Sequence, residues 1–339
     1  MKKLLYTIIL CIATQHASFS QQKDPADTAF INAGNQWFNA WKLLSKEIFH
    51  VNKVQPVDFV FFDSQYVYAT SPVSIPSGAN INGPSMMNDT YLWKKTLHNG
   101  TITLPDSSHV PIGLISFAAE NKINNKAFFV MPLPSFWKSA GVTSKELGLE
   151  NMITGVFLHE FSHSQQMQNF GKRITALEKF SEPFSNFTDD IVQDFFSKDS
   201  LYTSLFRQEV DELYAAAQEK NKAHKKQLIQ QAMSKIKARQ ANYFTGKYTA
   251  FTPIDDFFLT MEGLGQYAMY AWLKHAEGAN IPQEQVITGV RRGKKQWSQD
   301  EGFALFLILE QYAPARKWAP GMFGTTIESA TDLILKNIK

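Results

Sequence analysis

The residues best suited to chemistry are His159, Glu160 and His163, in the run His159-Glu160-Phe161-Ser162-His163. On an α-helix, positions i and i+4 share one face, so both imidazoles can aim at a single metal ion. Glu160 then stands beside that ion, where a general base for a metal-acidified water is needed. The chemistry such a trio offers is hydrolysis, with a metal to acidify water and a carboxylate to carry its proton.

That chemistry requires a helix running through both histidines. Ser144 to Leu158 predicts its first part. Thr143-Ser144-Lys145-Glu146 fits a capping box, with Thr143 as N-cap and Glu146 reaching back to it. Leu149, Met152, Ile153, Val156 and Phe157 recur at helical spacing. Gly148 and Gly155 oppose the helix by about 1 kcal/mol each relative to Ala. No Pro or Gly follows His163 until Gly171, so the helix can continue past the second imidazole.

The run spells His-Glu-x-x-His, and its neighbours Val156, Phe157, Leu158, Phe161, Ser162 and Ser164 are uncharged. It resembles the signature of the zincin metallopeptidases. The resemblance implies one Zn2+ per chain bound by His159 and His163, with Glu160 as general base. A catalytic zinc usually has three protein ligands plus water. In gluzincins the third is a glutamate on a later helix, and Glu262-Gly263-Leu264-Gly265-Gln266-Tyr267 is similar to the Glu-Gly-x-x-x-Tyr form of that helix. Glu262 is also a lone acid in an apolar segment, where a carboxylate needs a partner, either a metal or a basic side chain. Gly263 and Gly265 lower helix propensity and suggest that something approaches closely there. Gln266, one turn on, is placed to accept a hydrogen bond from a ligand histidine.

Glu262 stands 99 positions beyond His163 (163 to 262), a long gap that makes residues 204–243 an insertion between the two halves of a site. Rivals therefore stay open. Glu182 lies 19 positions beyond His163 (163 to 182), the spacing of one large aminopeptidase family, but Pro183 follows it in a loop-like segment. Glu209 and Glu212 sit on a charged helix and suit solvent; Asp189 and Asp190 complete the set.

The resemblance covers two islands, Thr154 to Gln165 and Phe258 to Tyr267. It implies a zinc-dependent peptidase acting on peptide or protein substrates through a zinc-activated water. Tyr243, Tyr267, Tyr270 and His275 are candidates for an additional oxyanion donor, with no motif to choose among them. Two other readings use the same residues: a catalytically inactive zincin-fold secreted protein that binds or supports, and a helical protein with two surface histidines. The intact Glu160 favours the enzyme, since a structural metal site has no need of that acid.

The elements that must position these groups point to an α+β, zincin-like fold: an N-terminal mixed β-sheet region, then a mainly helical region, with the active-site helix between. Pro25 to Phe49 predicts one amphipathic helix, with Phe30, Ala33, Trp37, Trp41, Leu44 and Ile48 on one stripe. Strand signals follow at Val57 to Thr70, Thr101 to Leu104, Val110 to Phe117 and Lys126 to Met131. In zincins the strand before the active-site helix often binds extended substrate at the sheet edge. Lys126 to Met131 suits that role or that of an ordinary core strand. Ser71 to Asn88 reads as a long Pro, Gly and Asn-rich loop. Helical periodicity returns at Ile191 to Phe196, Ser204 to Asn221, His224 to Tyr243, Asp255 to Lys274, Ser298 to Tyr312 and Ser329 to Asn337. The expected division is a signal peptide at 1–20, a helix-plus-sheet region at 21–143 and a helical region at 144–339.

Lys2 and Lys3, the apolar run Leu4 to Ala13 and the small residues near Ser20 fit a secretory signal, too short in its apolar run for a stable membrane anchor. The expected location is periplasmic or extracellular. Cys11 is the one cysteine and lies inside that signal, so a mature chain has no thiolate ligand, cysteine nucleophile or disulfide. Losing Lys2 and Lys3 brings 34 basic residues to 32 against 31 acidic ones, a balance that gives no support for nucleic-acid binding. The cluster Arg291-Arg292-Gly293-Lys294-Lys295 suits a solvated loop.

Overall fold

The structure, a computed structural model, describes residues 24–87, 89–178, 187–324 and 328–338. The expected signal peptide, Cys11 and the rival ligand Glu182 lie outside the described residues.

Asp24 caps α1 (Pro25–Leu43) by accepting a hydrogen bond from the Ala26 amide at 2.9 Å, and Pro25 pre-sets the first turn. The chain continues as a π-helical segment, Leu44–Phe49, and stops where His50 takes a left-handed conformation (φ 53°). The buried face of α1 carries Phe30, Ala33, Trp37 and Trp41, the stripe expected from the sequence.

Eight strands follow among the described residues: β1 (Val57–Phe62), β2 (Tyr66–Ala69), β3 (Ala79–Ile81), β4 (Trp93–Leu97), β5 (Thr101–Thr103), β6 (His109–Pro111), β7 (Phe117–Asn121) and β8 (Lys126–Pro132). Six form a mixed sheet in the order β3-β4-β2-β1-β8-β7, while β5 and β6 form a separate hairpin. The strand-rich stretch Val57 to Thr70 divides in two because Asp63 accepts from the Gln65 and Tyr66 amides and turns the chain. β1 is buried on both faces, which accounts for its unbroken apolar character. On one face Phe59, Phe61 and Phe129 join an aromatic core with Trp37 and Phe157. On the other, Val60, Phe62, Phe128 and Val130 pack against Ile102 and Leu104. β3 lies within the expected loop, and β4 carries a strand where the sequence reading placed none.

β8 is not the sheet edge. It pairs with β1 in parallel and with β7 antiparallel, so both its sides are satisfied. The edge role falls to β7.

The remaining elements are helical: α2 (Pro134–Ser139), α3 (Leu149–Gln166), α4 (Lys172–Glu178), α5 (Ile191–Phe196), α6 (Ser200–Gln218), α7 (Lys222–Tyr243), α8 (Phe251–Lys274), α9 (Gln283–Val290), α10 (Trp297–Tyr312), α11 (Ala315–Met322) and α12 (Ala330–Asn337). The chain is thus α+β, with a mixed sheet first and helices after. One core nevertheless runs through both regions, from Phe30 and Phe59 to Tyr267 and Phe306. α3 starts later than the capping-box reading placed it. Gly148, at φ 73°, precedes its first turn in a conformation Gly reaches without a Cβ penalty. Thr143 is therefore not the N-cap; Ser144 instead accepts from the Leu147 amide at 3.2 Å in the preceding turn. Among the described residues no helix is long and apolar enough to cross a membrane.

α8 is buried all round from Phe258 to Leu273 and packs against α3 and α10. The α6–α7 hairpin is fastened to this pair by one buried cation. Arg239 donates to Glu209 on α6 at 2.6 Å, to Asp255 on α8 at 3.2 Å, to Glu301 on α10 at 3.1 Å and to the Tyr202 hydroxyl at 2.7 Å. Glu209 is therefore fully buried and not solvated, and burial pushes its carboxyl up to about 7 despite the guanidinium. Glu212 likewise pairs with Lys235 across the hairpin. Replacing Arg239 leaves three buried carboxylates without their cation. Arg239→Met should destabilise the fold by about 3–5 kcal/mol, read as a lower denaturant midpoint, and a change under about 1 kcal/mol would contradict this account.

Candidate metal centre

α3 and α8 bring three side chains to one point. The Nε2 atoms of His159 and His163 lie 3.1 Å apart. Glu262 sets one carboxylate oxygen 3.2 Å from His159 Nε2 and the other 3.2 Å from His163 Nε2. A tetrahedral ion with bonds of about 2.0–2.1 Å has ligand–ligand separations of about 3.3 Å, and the imidazole pair and each imidazole–carboxylate contact lie close to that value. All three side chains are buried, at 4%, 6% and 6% exposure, and the set is suited to holding a metal ion. Two imidazoles and one carboxylate with no thiolate form a nitrogen and oxygen donor set of the kind that binds first-row divalent transition-metal ions.

Glycines make this convergence possible. A Cβ on Gly265 would meet His159 Nδ1 at 2.7 Å, one on Gly263 would meet the backbone of Gly302 at 2.6 Å, and one on Gly155 would meet Met269 at 2.6 Å. The glycines that weaken α3 and α8 as isolated helices thus allow α3, α8 and α10 to approach closely.

Burial opposes charge on Glu262, but the two imidazoles outweigh it and hold the carboxyl far below the usual range. Burial would also lower His163, yet Glu262, Glu160 and Asp189 together push it up to about 9. Burial prevails at His159, which sits below its ordinary value. Glu160 makes no part of the triangle and is pushed by burial up to about 8. Among the described residues neither His159 Nδ1 nor His163 Nδ1 has a hydrogen-bond partner. Gln266, expected to accept from one of them, instead donates to Gln299 at 2.7 Å.

These groups open onto a cleft of about 560 Å³ that also holds Glu160. One wall is the edge strand β7, and Met167, Ile174, Phe258 and Met261 add apolar surface. Asp189 lines the cleft but is no member of the triangle; burial pushes it up to about 7 and Asp190 to about 6. Tyr267 and Tyr270 are buried in aromatic packing with Phe306, Trp318 and Phe303, and neither they nor Tyr243 and His275 line the cleft.

Sequence reasoning missed Gln299 and Arg292. Arg292 belongs to the cluster expected to be a solvated loop, but its Nε donates to Gln299 at 2.9 Å and its charge acts on Glu262 and Glu160. Arg291 stacks on Tyr214 at 3.4 Å, and Lys294 pairs with Asp211 at 2.5 Å. The available signal was the polar run Ser298 to Glu301, which opens α10 and is buried throughout.

No protein-family model, curated protein or solved structure matches this chain.

Gly265→Ala should lower metal affinity at least tenfold in a chelator competition, because the His159 ring must move, while thermal stability changes little. Unchanged metal affinity would show that the ring tolerates the methyl group. His163, near 9, holds a proton at neutral pH that a cation on Nε2 must displace. Affinity should therefore rise as pH rises towards about 9, with at least one proton released per ion near pH 7 from His163, and a further fraction from Glu160. Calorimetry in two buffers of different ionisation enthalpy reads this directly, and zero proton release would contradict it.

Proposed function

We propose that this protein is a zinc-dependent peptidase of gluzincin type. One observation carries the reading: His159, His163 and Glu262, on two helices far apart in the chain, meet in a triangle of zinc-ligand size inside the cleft that holds Glu160.

Zinc held by these residues supplies Lewis acidity, making water more acidic and polarising a carbonyl. The chain's own groups do the rest. Glu160 takes the proton as the water oxygen bonds to the carbonyl carbon, and the carbonyl π electrons become an oxyanion. Glu160 then gives that proton to the amide nitrogen as the C–N bond breaks, so water is consumed and an acid and an amine are released. Burial raises the proton affinity of Glu160, which suits a base that must take up and return one proton; a neighbouring dication tempers the rise.

β7 supports a peptide substrate over a small ester or amide. Its inner side pairs with β8 and its outer side is the sheet edge, with Phe117 to Glu120 lining the cleft. An extended peptide can add there as a further strand, its scissile bond carried across the mouth of the metal triangle.

Purified protein should carry about one zinc per chain, lost in His159→Ala, His163→Ala and Glu262→Ala. Glu160→Gln should keep the metal while peptide hydrolysis falls by about 10²- to 10⁴-fold. Metal analysis together with an internally quenched peptide library checks both. Zinc binding without cleavage of any peptide would favour a secreted binding protein on the same fold, and no zinc at all would end the enzyme reading.

A further inference from the structure

Hydrolysis through an oxyanion gains from a donor aimed at the new negative charge, and among the described residues no tyrosine lines the cleft. A buried amide does. Gln299, on the first turn of α10, is 7% exposed and lines the cleft that holds His159, Glu160 and Glu262.

Its orientation is forced. Arg292 Nε–H can only donate, so the Gln299 atom 2.9 Å from it must be the carbonyl oxygen Oε1. Gln266 approaches the same oxygen at 2.7 Å and must therefore present its own Nε2–H. Gln266 lies one helical turn beyond Glu262 on α8, so this lock is built on the helix that carries the third ligand. With Oε1 occupied twice, the other end of the Gln299 amide is Nε2, and it has no acceptor among the described residues. An NH2 group with no protein acceptor, at the end of a side chain that is 7% exposed and lines a cleft, is a donor open to something that enters it. The guanidinium of Arg292, close enough for its charge to act on Glu262 and Glu160, polarises the amide further towards donation.

We propose that Gln299 Nε2 is the protein donor to the developing oxyanion, with Arg292 and Gln266 as positioning residues that fix its N–H bonds towards the cleft. The proposal rests on the peptidase reading and adds a catalytic residue to it.

The test uses zinc-loaded full-length protein and an internally quenched peptide that the wild type cleaves. Gln299→Met keeps the volume and removes the donor. It should cut kcat by about 100- to 1000-fold, with KM within about threefold and zinc content unchanged. A peptide phosphonamidate, whose tetrahedral anion mimics the oxyanion, should lose affinity in the same proportion as kcat/KM. Should the methionine variant fail to fold, Gln299→Glu still accepts from Arg292 and Gln266 and should show the same kcat loss. Arg292→Met, which frees the amide to rotate, should give a smaller kcat loss at unchanged KM. Wild-type kcat in a folded, zinc-loaded Gln299→Met would overturn the proposal and leave the peptidase reading standing. A wild type that binds zinc and cuts no peptide would remove that reading, and this proposal with it.

Discussion

The close approach of α3 and α8 is the constraint on which the candidate centre depends. One ligand atom from each of three residues must come within 4.8 Å of the others, although Glu262 stands almost a hundred positions from His163, and a displacement of one ångström would carry the group away from the reach of a single ion. Ordinary side chains would hold two helices 8–10 Å apart with little freedom to adjust. Here Gly265 lies against the His159 ring and Gly155 against Met269, so the contact is set by the absence of side chains as much as by their presence. Gly263 does the same between α8 and α10, which brings Gln299 to the cleft wall.

Around that contact the protein buries an unusual amount of charge. Arg239 joins α6, α7, α8 and α10 through three carboxylates and a hydroxyl. Arg292 does similar work nearer His159, His163 and Glu262, through a neutral glutamine. An apolar contact of the same size would stabilise the hairpin at least as well. Buried ion pairs do something apolar packing does not: each pairing has one geometry, and an error leaves a charge without its partner. The sheet contributes in a complementary way. Its aromatic face presses α1 and α3 into register, while β7 at its margin leaves a line of backbone groups beside the cleft.

Much of the local architecture was legible in the chain. The stripe of α1 gave that helix because burying Phe30, Trp37 and Trp41 on one side requires the 3.6-residue period. Errors arose where a local signal competed with packing. Thr143 and Glu146 spell a capping box, but α3 begins only after Gly148, whose positive φ of 73° redirects the chain. Glu209 and the cluster at Arg291 and Arg292 looked solvated because a charge carries no mark of its partner, which in each case lies on another element. Lys126 to Met131 was recognisable as a strand, yet its neighbours in the sheet, and hence which strand forms the edge, follow only from the order of pairing.

The sequence by itself determined the identity of the chemical groups: two imidazoles one turn apart with a carboxylate between them, a lone acid in an apolar helix, and glycines where close contact is needed. These are properties of short segments, written in a spacing of three or four residues. Only the tertiary structure decided that Glu262 shares a point with His159 and His163, that Gln266 turns away to Gln299, and that Arg292 fixes that amide. Those outcomes depend on distances between elements that no local pattern encodes, because side-chain volume, backbone clearance and buried charge settle them together when the helices pack.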